Sequence, residues 1–483
     1  QGGGRQPDGH ALTGALARLR HRVQALTRSS PALGHVLTLV TGTAVAQAVS
    51  LLMTLVLARQ YTPEDFGQLA TYTSVAGVVV VVAALRYDMA VMLPKRDAEA
   101  LALTRLAMWC VLVASVLVTV LAVPLRGAVA RLWGEEVALW MPLVGLTTFL
   151  MSGIEVLKYW FNRHSRYRVI AVNQAEQQVG LTGGQLLLAL AGVGGLPGLV
   201  LGLNLGRQAP EVARALPGDA PSLRQVARRH RRMPLLNAPN ALVDAVRLSG
   251  IQLLIAGYSA AALGQFQMAW RVLDAPLILI NGAVSRVFFQ RLSVVEPGQM
   301  RPLVHAVVKR ALMVGVAPFA AVYLLSPWLF PFLFGQRWEG AGDFARALTP
   351  WLFMLLITSP VSNLFVVTGN QGWMLAFAVV YCAAPLAWLW LSPLDLAATV
   401  RVLGAGMAAL LVVMVAMAWS CAREFDRRGG AGGPDRGGEE PDHGGQESGG
   451  GEGAPARREG AAPGGAGESP RGPGSPAEGG SDS

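Results

Sequence analysis

The 483-residue chain has few charged residues and few cysteines. Only 14% of its residues are Asp, Glu, Lys or Arg, whereas 52% are hydrophobic and the mean hydropathy is +0.41. A soluble protein would carry about 25% charged residues, so this composition predicts a polytopic membrane protein. The three cysteines, Cys110, Cys382 and Cys421, lie far apart in apolar segments, which argues against a disulfide framework or a thiolate metal site.

Enzymatic motifs are also missing. The only lysines are Lys95, Lys158 and Lys309, and none of them follows a glycine, so a Walker-type nucleotide loop is excluded. The sequence has no G-x-S-x-G elbow, no H-E-x-x-H pair and no Cys/His metal spacing. The missing motifs favour a transporter over an enzyme, and we expect no cofactor, so that an ion gradient or the substrate's own gradient would drive transport.

Apolar stretches long enough to cross a bilayer recur along most of the chain. A helix needs about 20 such residues to cross a hydrocarbon core of ~30 Å. The sequence predicts an all-α membrane protein with about 12 transmembrane helices, at residues 36–58, 67–93, 101–124, 137–160, 169–191, 193–206, 234–257, 264–289, 309–334, 347–368, 372–392 and 397–420. The stretch 193–206 departs from this length, because it reaches only about 21 Å.

Basic residues gather in every second connection between these stretches. If 193–206 crosses the membrane, the basic connections at 95–96, 163–168, 207–232 and 291–310 share one side with the N-terminal arginines. The positive-inside rule makes that side cytoplasmic, together with both chain termini. If 193–206 does not cross, the arginine cluster in 207–232 moves outside, against the rule. The net charge of +10 thus reports topology and not nucleic-acid binding.

Composition divides the chain into five predicted parts. The stretch 207–233 is polar and basic, and the sequence beyond residue 422 is rich in Gly, Pro, Ser and charged residues, too polar to bury a core. We predict a basic cytoplasmic N-terminal segment at 1–35, an N-terminal lobe of six spans at 36–206, a cytoplasmic linker at 207–233, a C-terminal lobe of six spans at 234–422 and a disordered cytoplasmic tail at 423–483.

An internal repeat relates the two predicted lobes. Six residues carry it, in two sets with the same spacing: Tyr61, Gly67 and Gln68, then Tyr258, Gly264 and Gln265. Each set opens an apolar run with a late arginine, Arg86 in the first copy and Arg286 in the second. Self-similarity of this kind predicts that the lobes are pseudo-symmetric.

Ionisable residues inside the apolar runs are the candidate functional residues. A charge in hydrocarbon costs at least about 2.5 kcal/mol, so such side chains face a protein interior or a wet path. Arg86 precedes Pro94 by about 12 Å of helix, too deep to reach the interface, and Asp88 points to another face of the same predicted helix. The alternative is that a neighbouring helix neutralises these charges and that the two residues serve only the packing of the helices.

Three further acid–base pairs have the i,i+3 spacing of neighbours on a helix: Glu155 with Lys158, Asp244 with Arg247 and Arg271 with Asp274. Such pairs can simply neutralise each other. However, Arg247, Arg271 and Arg286 lie in adjacent predicted spans with too few acids to balance them. Together with Arg86 they predict a cationic pocket for phosphate or pyrophosphate, which arginine binds in bidentate fashion. The candidate ion-coupling carboxylates are Asp88, Asp244, Asp274 and Glu155.

Several segments resemble a known family. The stretches are YTPEDFGQLATY, ALRYDMAVMLPKRDAEA, VLKYWFNRHSRYR, RVLDAPLILINGAVSRVFFQRLS and FGQRWEGAGDFARALTPWLF. They are similar to bacterial polysaccharide biosynthesis proteins, the O-antigen and capsule repeat-unit flippases of the multidrug/oligosaccharidyl-lipid/polysaccharide (MOP) flippase superfamily. The likeness is collinear from about residue 36 to 371. By position, Arg86 and Asp88 match the RY-acidic motif of that family.

The resemblance implies a multi-pass protein of the bacterial inner membrane. It would move undecaprenyl-pyrophosphate-linked oligosaccharide, destined for lipopolysaccharide O-antigen, capsule or exopolysaccharide, from the cytoplasmic to the periplasmic leaflet. Two six-helix lobes would alternate between inward-open and outward-open forms, with proton or sodium coupling. The implied partners are the lipid bilayer, the lipid-linked glycan and other polysaccharide-assembly membrane proteins.

Two other functions stay open at this point. A drug or metabolite exporter of the same superfamily would have an acidic or aromatic cavity instead of an arginine-rich one. An integral-membrane polymerase or glycosyltransferase would present catalytic residues on a sizeable extramembrane loop, whereas the longest outward connections here are about a dozen residues.

Overall fold

The computed structural model describes residues 47–205, 221–231, 233–292, 298–362, 364–368 and 370–431. All regular structure within these ranges is helical. The helices are α1 (47–60), α2 (Pro63–Ala83), α3 (Tyr87–Ala90), α4 (Asp97–Trp133), α5 (Glu135–Trp140), α6 (Val144–Arg163), α7 (Tyr167–Leu190), α8 (Gly195–Leu205), α9 (Leu223–Arg229), α10 (Ala238–Tyr258), α11 (Ala260–Leu292), α12 (Met300–Phe334), α13 (Glu339–Val361), α14 (Leu364–Val367), α15 (Gln371–Leu391) and α16 (Leu396–Ala431).

The predicted all-α membrane fold is confirmed. Each predicted span is largely helical in its described part, although some spans are divided between two helices. Among the described residues, eight helical stretches are long and apolar enough to cross a membrane, and the chain is a multi-pass membrane protein. Helix α8 has eleven residues, and the chain that follows it, 206–220, lies outside the described residues. Full crossing by the sixth span therefore stays a prediction, as do the assignments for 1–35 and 432–483.

Several predicted boundaries differ from the structure. The span predicted at 67–93 is not one helix, because α2 ends at Ala83. Helix α4 continues past Pro124 to Trp133, since a membrane helix tolerates an internal proline when its neighbours satisfy the freed backbone groups. Helix α16 continues to Ala431, beyond the predicted start of the tail at 423. The predicted linker also contains a helix, α9, with Val226 buried.

Connections between successive long helices fall at two ends of the bundle. We call residues 47–205 the N-half and residues 238–431 the C-half. The loop end carries the connections 61–62, 134, 191–194, 259, 335–338 and 392–395. The basic end carries the connections 84–96, 164–166 and 362–370 and the described linker residues 221–231.

The repeat predicted from the sequence is visible in how α2 and α11 begin. Thr62 caps α2, and its hydroxyl accepts from the backbone N–H of Asp65 at 3.2 Å. Ser259 precedes α11 in the same way, and its hydroxyl accepts from the N–H of Ala262 at 3.4 Å. Side-chain oxygens at this position satisfy N–H groups that a helix leaves unpaired. In both copies of the repeat, a side-chain hydroxyl therefore caps the N-terminus of the helix.

The tyrosine preceding each cap also has an equivalent role in the two halves. The Tyr61 hydroxyl donates to the carbonyl of Gln185 in α7 at 2.9 Å, and the Tyr258 hydroxyl donates to the carbonyl of Leu389 in α15 at 3.1 Å. Burial and, to a smaller extent, the carboxylate of Asp65 raise the pKa of Tyr61 to about 12. Its hydroxyl therefore stays protonated and keeps donating at physiological pH.

The two halves meet where α2 crosses α11 at the loop end. A Cβ atom placed on Gly67 would lie 1.6 Å from the carbonyl oxygen of Ala260, and one on Gly264 would lie 1.7 Å from the carbonyl oxygen of Pro63. The repeat exchanges these two contacts, so the crossing lies on the pseudo-symmetry axis. Only glycine permits backbones to approach this closely.

Two tryptophans join the halves beside this crossing. The indole N–H of Trp133, in the N-half, donates to the carbonyl of Leu253 in the C-half at 3.3 Å. The indole N–H of Trp338, in the C-half, donates to the carbonyl of Ala58 in the N-half at 2.9 Å. We call these two hydrogen bonds the tryptophan clasps. They and the glycine crossing join the two halves at the loop end.

Candidate functional site

A cavity of about 280 Å³ lies between the halves. Helices α1, α2 and α7 of the N-half line it on one side, and α11 of the C-half lines it on the other. The lining residues are Ser50, Phe66, Leu69, Ala70, Thr73, Gln178, Leu181, Thr182, Gln185, Gln267, Met268 and Arg271.

Arg271 is the cation of this cavity. Its side chain is exposed although α11 is packed against both α2 and α13, and its guanidinium lies 6.0 Å from the centre of the Phe66 ring. Among the described residues no carboxylate lies within 4.0 Å of it, so the i,i+3 pair with Asp274 is not formed. The guanidinium donors of Arg271 are therefore available to a ligand.

Side-chain amides and hydroxyls supply most of the remaining polarity of the cavity. Gln185 is anchored, because its amide donates to the carbonyl of Leu199 at 3.1 Å. Gln267 stands one helical turn before Arg271 and lines the same cavity. None of the described lining residues is acidic. A cation with neighbouring amides and no carboxylate suits an anionic ligand that also carries hydroxyl groups.

Arg247 has a different environment. Its guanidinium lies 4.7 Å from the centre of the Tyr381 ring on α15, and its Nη2 atom lies 3.4 Å from the carboxylate of Asp244. The Tyr381 hydroxyl in turn accepts from the indole N–H of Trp351 at 2.7 Å. Arg247 is not among the described residues that line the cavity. The predicted i,i+3 pair of Asp244 with Arg247 on α10 is formed.

Arg86 lies between two helices, where α2 has ended and α3 begins, and not within one continuous helix. Leu85 and Arg86 have φ angles of +48° and +59°, a left-handed conformation that costs non-glycine residues about 1–3 kcal/mol each. The prediction that Arg86 and Asp88 occupy two faces of one helix is therefore wrong. Because the chain from Arg86 to Pro94 is not one straight helix, the helical rise of about 12 Å between them does not give the depth of Arg86 in the membrane.

Asp88 lies in α3 and is only 7% exposed. Its Oδ1 atom is buried and makes no hydrogen bond to any described group. Arg86 and Glu155 lie close enough to act on it electrostatically. Glu155 itself is 51% exposed and pairs with Lys158 at 2.6 Å. Of the two carboxylates, Asp88 and Glu155, Asp88 is therefore the one whose charge is less compensated.

The predicted site residues thus do not all meet in one pocket. Arg271 lies in the central cavity, Arg86, Asp88 and Glu155 lie near the basic end, and Arg247 packs against α15. Arg286 belongs to α11, but its side chain lies outside the described residues. Sequence reasoning missed Phe66, Gln185 and Gln267 as lining residues. The spacing of Gln267 and Arg271, one turn apart on a helix, was the available signal.

Comparison with protein families places the chain in one of them. The family model described as "Polysaccharide biosynthesis protein" matches residues 56–202 and 237–343, which together make up more than half of the chain. The chain belongs to this polysaccharide biosynthesis protein family. No curated protein sequence matches it.

Solved structures with the same fold belong to the MOP superfamily. The lipid II flippase MurJ in an inward closed conformation has a TM-score of 0.64 at 11% identity, over 81% of this chain and 90% of that one. An inward-facing MATE multidrug resistance transporter has a TM-score of 0.58 at 15% identity, over 82% and 96%. A MOP transporter from Pyrococcus furiosus, whose binding pocket is described as having reverse polarity, has a TM-score of 0.54 at 14% identity, over 82% and 95%.

Proposed function

We propose that this protein is a flippase for oligosaccharides linked to undecaprenyl pyrophosphate and that it serves the assembly of O-antigen, capsule or exopolysaccharide. The family match supports a role in polysaccharide biosynthesis. The observation that carries the proposal is the cavity between the halves, with its neighbouring amides and with Arg271, which has no carboxylate partner among the described residues. Arginine binds the pyrophosphate, and the amides bind sugar hydroxyls.

The loop end faces the periplasm and the basic end faces the cytoplasm in this proposal. Three of the four stretches at the basic end, 84–96, 164–166 and 221–231, contain arginine, in agreement with the positive-inside rule. The tryptophan clasps and the glycine crossing then form the outer gate. Substrate enters from the cytoplasmic side, and opening of this gate releases it into the periplasmic leaflet of the bacterial inner membrane.

The two alternative functions have less support. A MATE-like drug or metabolite exporter calls for an acidic or aromatic cavity, and the described lining residues of this cavity include no carboxylate and one aromatic side chain, that of Phe66. A polymerase or glycosyltransferase calls for a sizeable extramembrane loop with catalytic groups, and within the described residues the connections at the loop end are at most four residues long. Transport without chemical change of the glycan fits these features better.

Purified protein in sealed vesicles tests the proposal. A fluorescent oligosaccharide on polyprenyl pyrophosphate is placed in the outer leaflet, and a membrane-impermeant lectin reports what remains accessible. We expect accessibility to fall only in vesicles that contain the protein, with the glycan chemically unchanged. Transport of cationic dyes without movement of the lipid-linked glycan would favour the exporter, and a lengthened glycan would favour the polymerase.

Asp88 is the carboxylate that we propose for ion coupling. Replacing it with asparagine removes the titratable charge and keeps the shape, so we expect translocation driven by the substrate gradient to continue while its stimulation by an imposed proton or sodium gradient disappears. The matched control is Glu155→Gln, because Glu155 is half exposed and already paired with Lys158. A full response of the Asp88→Asn variant to whichever gradient stimulates the wild type would rule out this role.

A further inference from the structure

A second cationic site lies at the basic end of the C-half, in a cleft of about 560 Å³ between α12 and α16. Arg301 and His305 face it from α12, and Arg423 and Arg427 face it from α16. All four side chains are exposed. The i,i+4 spacing within each pair keeps its members on one face of their helix. Two helices far apart in sequence thus present basic faces to each other.

Within the part of the chain that the structure describes, these arginines lack acidic partners. Asp426 is the one carboxylate among the described residues that line the cleft. It accepts hydrogen bonds from three backbone N–H groups at the start of α12, those of Gly298, Met300 and Arg301, at 2.8 to 3.1 Å. Its oxygens are therefore committed to capping that helix. Among the described residues, none of the three cleft arginines has a carboxylate within 4.0 Å.

The cleft lies where the apolar surface of the bundle ends. Trp419 forms its inner wall, with the Arg301 guanidinium 5.5 Å from its ring centre. Exposed Val412 and Val413 precede Trp419 on α16 by about two turns, and the exposed arginines follow it by one and two turns. An aromatic ring between an apolar belt and basic residues marks the membrane interface. The cleft therefore opens at the depth where lipid phosphates lie.

We propose that this cleft binds the phosphate of an anionic lipid. Three guanidinium groups that have no acidic partner among the described residues provide parallel N–H donors for phosphate oxygens, and Trp419 contacts the adjoining apolar part of the same lipid. A membrane phospholipid and a polyprenyl phosphate offer the same chemistry to this site. The inference does not depend on translocation, because the cleft is separate from the cavity that contains Arg271.

Native mass spectrometry of the full-length protein tests this site directly. The detergent-solubilised protein is titrated separately with phosphatidylglycerol and with a polyprenyl phosphate, and the affinity for the first bound lipid is measured. We expect the variant Arg301→Gln/Arg423→Gln/Arg427→Gln to bind at least tenfold more weakly than the wild type. The control variant Arg166→Gln/Arg168→Gln/Arg228→Gln removes three exposed arginines outside the cleft, and we expect it to bind normally.

The outcomes separate the possible ligands. Weaker binding of both lipids in the cleft variant supports a general lipid-phosphate site, and weaker binding of only one identifies that lipid as the ligand. Unchanged binding of both lipids, or an equal loss in the control variant, overturns the proposal. Displacement of the lipid by an equal concentration of inorganic phosphate would also overturn it, because the site would then take the free ion. If the triple variant does not fold, Arg423→Gln alone is expected to weaken binding about threefold.

Discussion

Replacing Gly67 with alanine is expected to abolish closure of the loop end and to reduce translocation on the order of 100-fold. The added methyl group would lie 1.6 Å from the carbonyl oxygen of Ala260. Because that oxygen belongs to the backbone, it does not rotate away, and α2 and α11 have to separate. Overpacking in a close-packed interior costs about 1–3 kcal/mol, and the upper value corresponds to this fold-change.

The equivalent change in the other repeat, Gly264→Ala, is expected to have the same effect, since its methyl group meets the carbonyl oxygen of Pro63. Gly127→Ala is the matched control, because a Cβ atom at Gly127 has no atom within 4 Å and alanine favours a helix. Translocation is measured in the vesicle assay, with thermal unfolding to confirm that each variant is folded. Wild-type translocation by Gly67→Ala would mean that the crossing is not used in transport.

Replacing Arg271 with glutamine is expected to reduce translocation of lipid-linked oligosaccharide about 10- to 100-fold. The substitution keeps a polar side chain but removes the positive charge from the cavity. Hydrogen bonds to charged groups contribute about 1.5–3 kcal/mol, which gives this range. Arg271→Lys restores the charge without the planar fork, so we expect it to be intermediate. Initial rates in the vesicle assay measure both variants.

Arg346 offers a matched control for this experiment. It is an exposed arginine of the C-half on α13, it lies 5.2 Å from the centre of an aromatic ring, that of Tyr323, and it does not line the cavity among the described residues. Arg346→Gln thus removes the same charge and the same kind of ring contact elsewhere. Equal losses for Arg271→Gln and Arg346→Gln would show that total charge, and not the cavity, matters.

Much of the fold is predictable from the sequence because membrane helices have a simple physical requirement. An apolar run of sufficient length has to be helical in lipid, since no water is present to satisfy its backbone. The repeat was predictable too, because Gly67 and Gly264 are constrained by contacts that no other residue permits. Helix ends were harder to predict, as Pro124 lies inside α4 and α16 continues into the sequence expected to be tail.

The candidate site was only partly predictable. The sequence identified Arg271 as an ionisable residue in an apolar run, but whether it pairs with Asp274 depends on side-chain directions that i,i+3 spacing does not fix. The same spacing produced a real pair at Asp244 and Arg247. The left-handed turn at Leu85 and Arg86 had no local signal such as glycine. Tertiary contacts, which no single sequence displays, decided these cases.

The central claim is that the halves close over the cavity at the loop end and separate there during transport. Spin labels test it at two exposed positions of that end, Arg131→Cys in the N-half and Arg337→Cys in the C-half, once the three native cysteines have been replaced. The distance between the labels is measured by pulsed electron paramagnetic resonance. The resting protein is expected to show mainly the short distance that corresponds to closed clasps.

The same measurement on the Trp133→Phe/Trp338→Phe variant gives the most direct answer. Both clasp hydrogen bonds are then missing, which costs the closed form about 1–3 kcal/mol, so we expect a second, longer distance to appear at the expense of the short one. Addition of lipid-linked oligosaccharide to the wild type is expected to populate the same longer distance. A single short distance in every case, in protein that still translocates its substrate, would contradict the account.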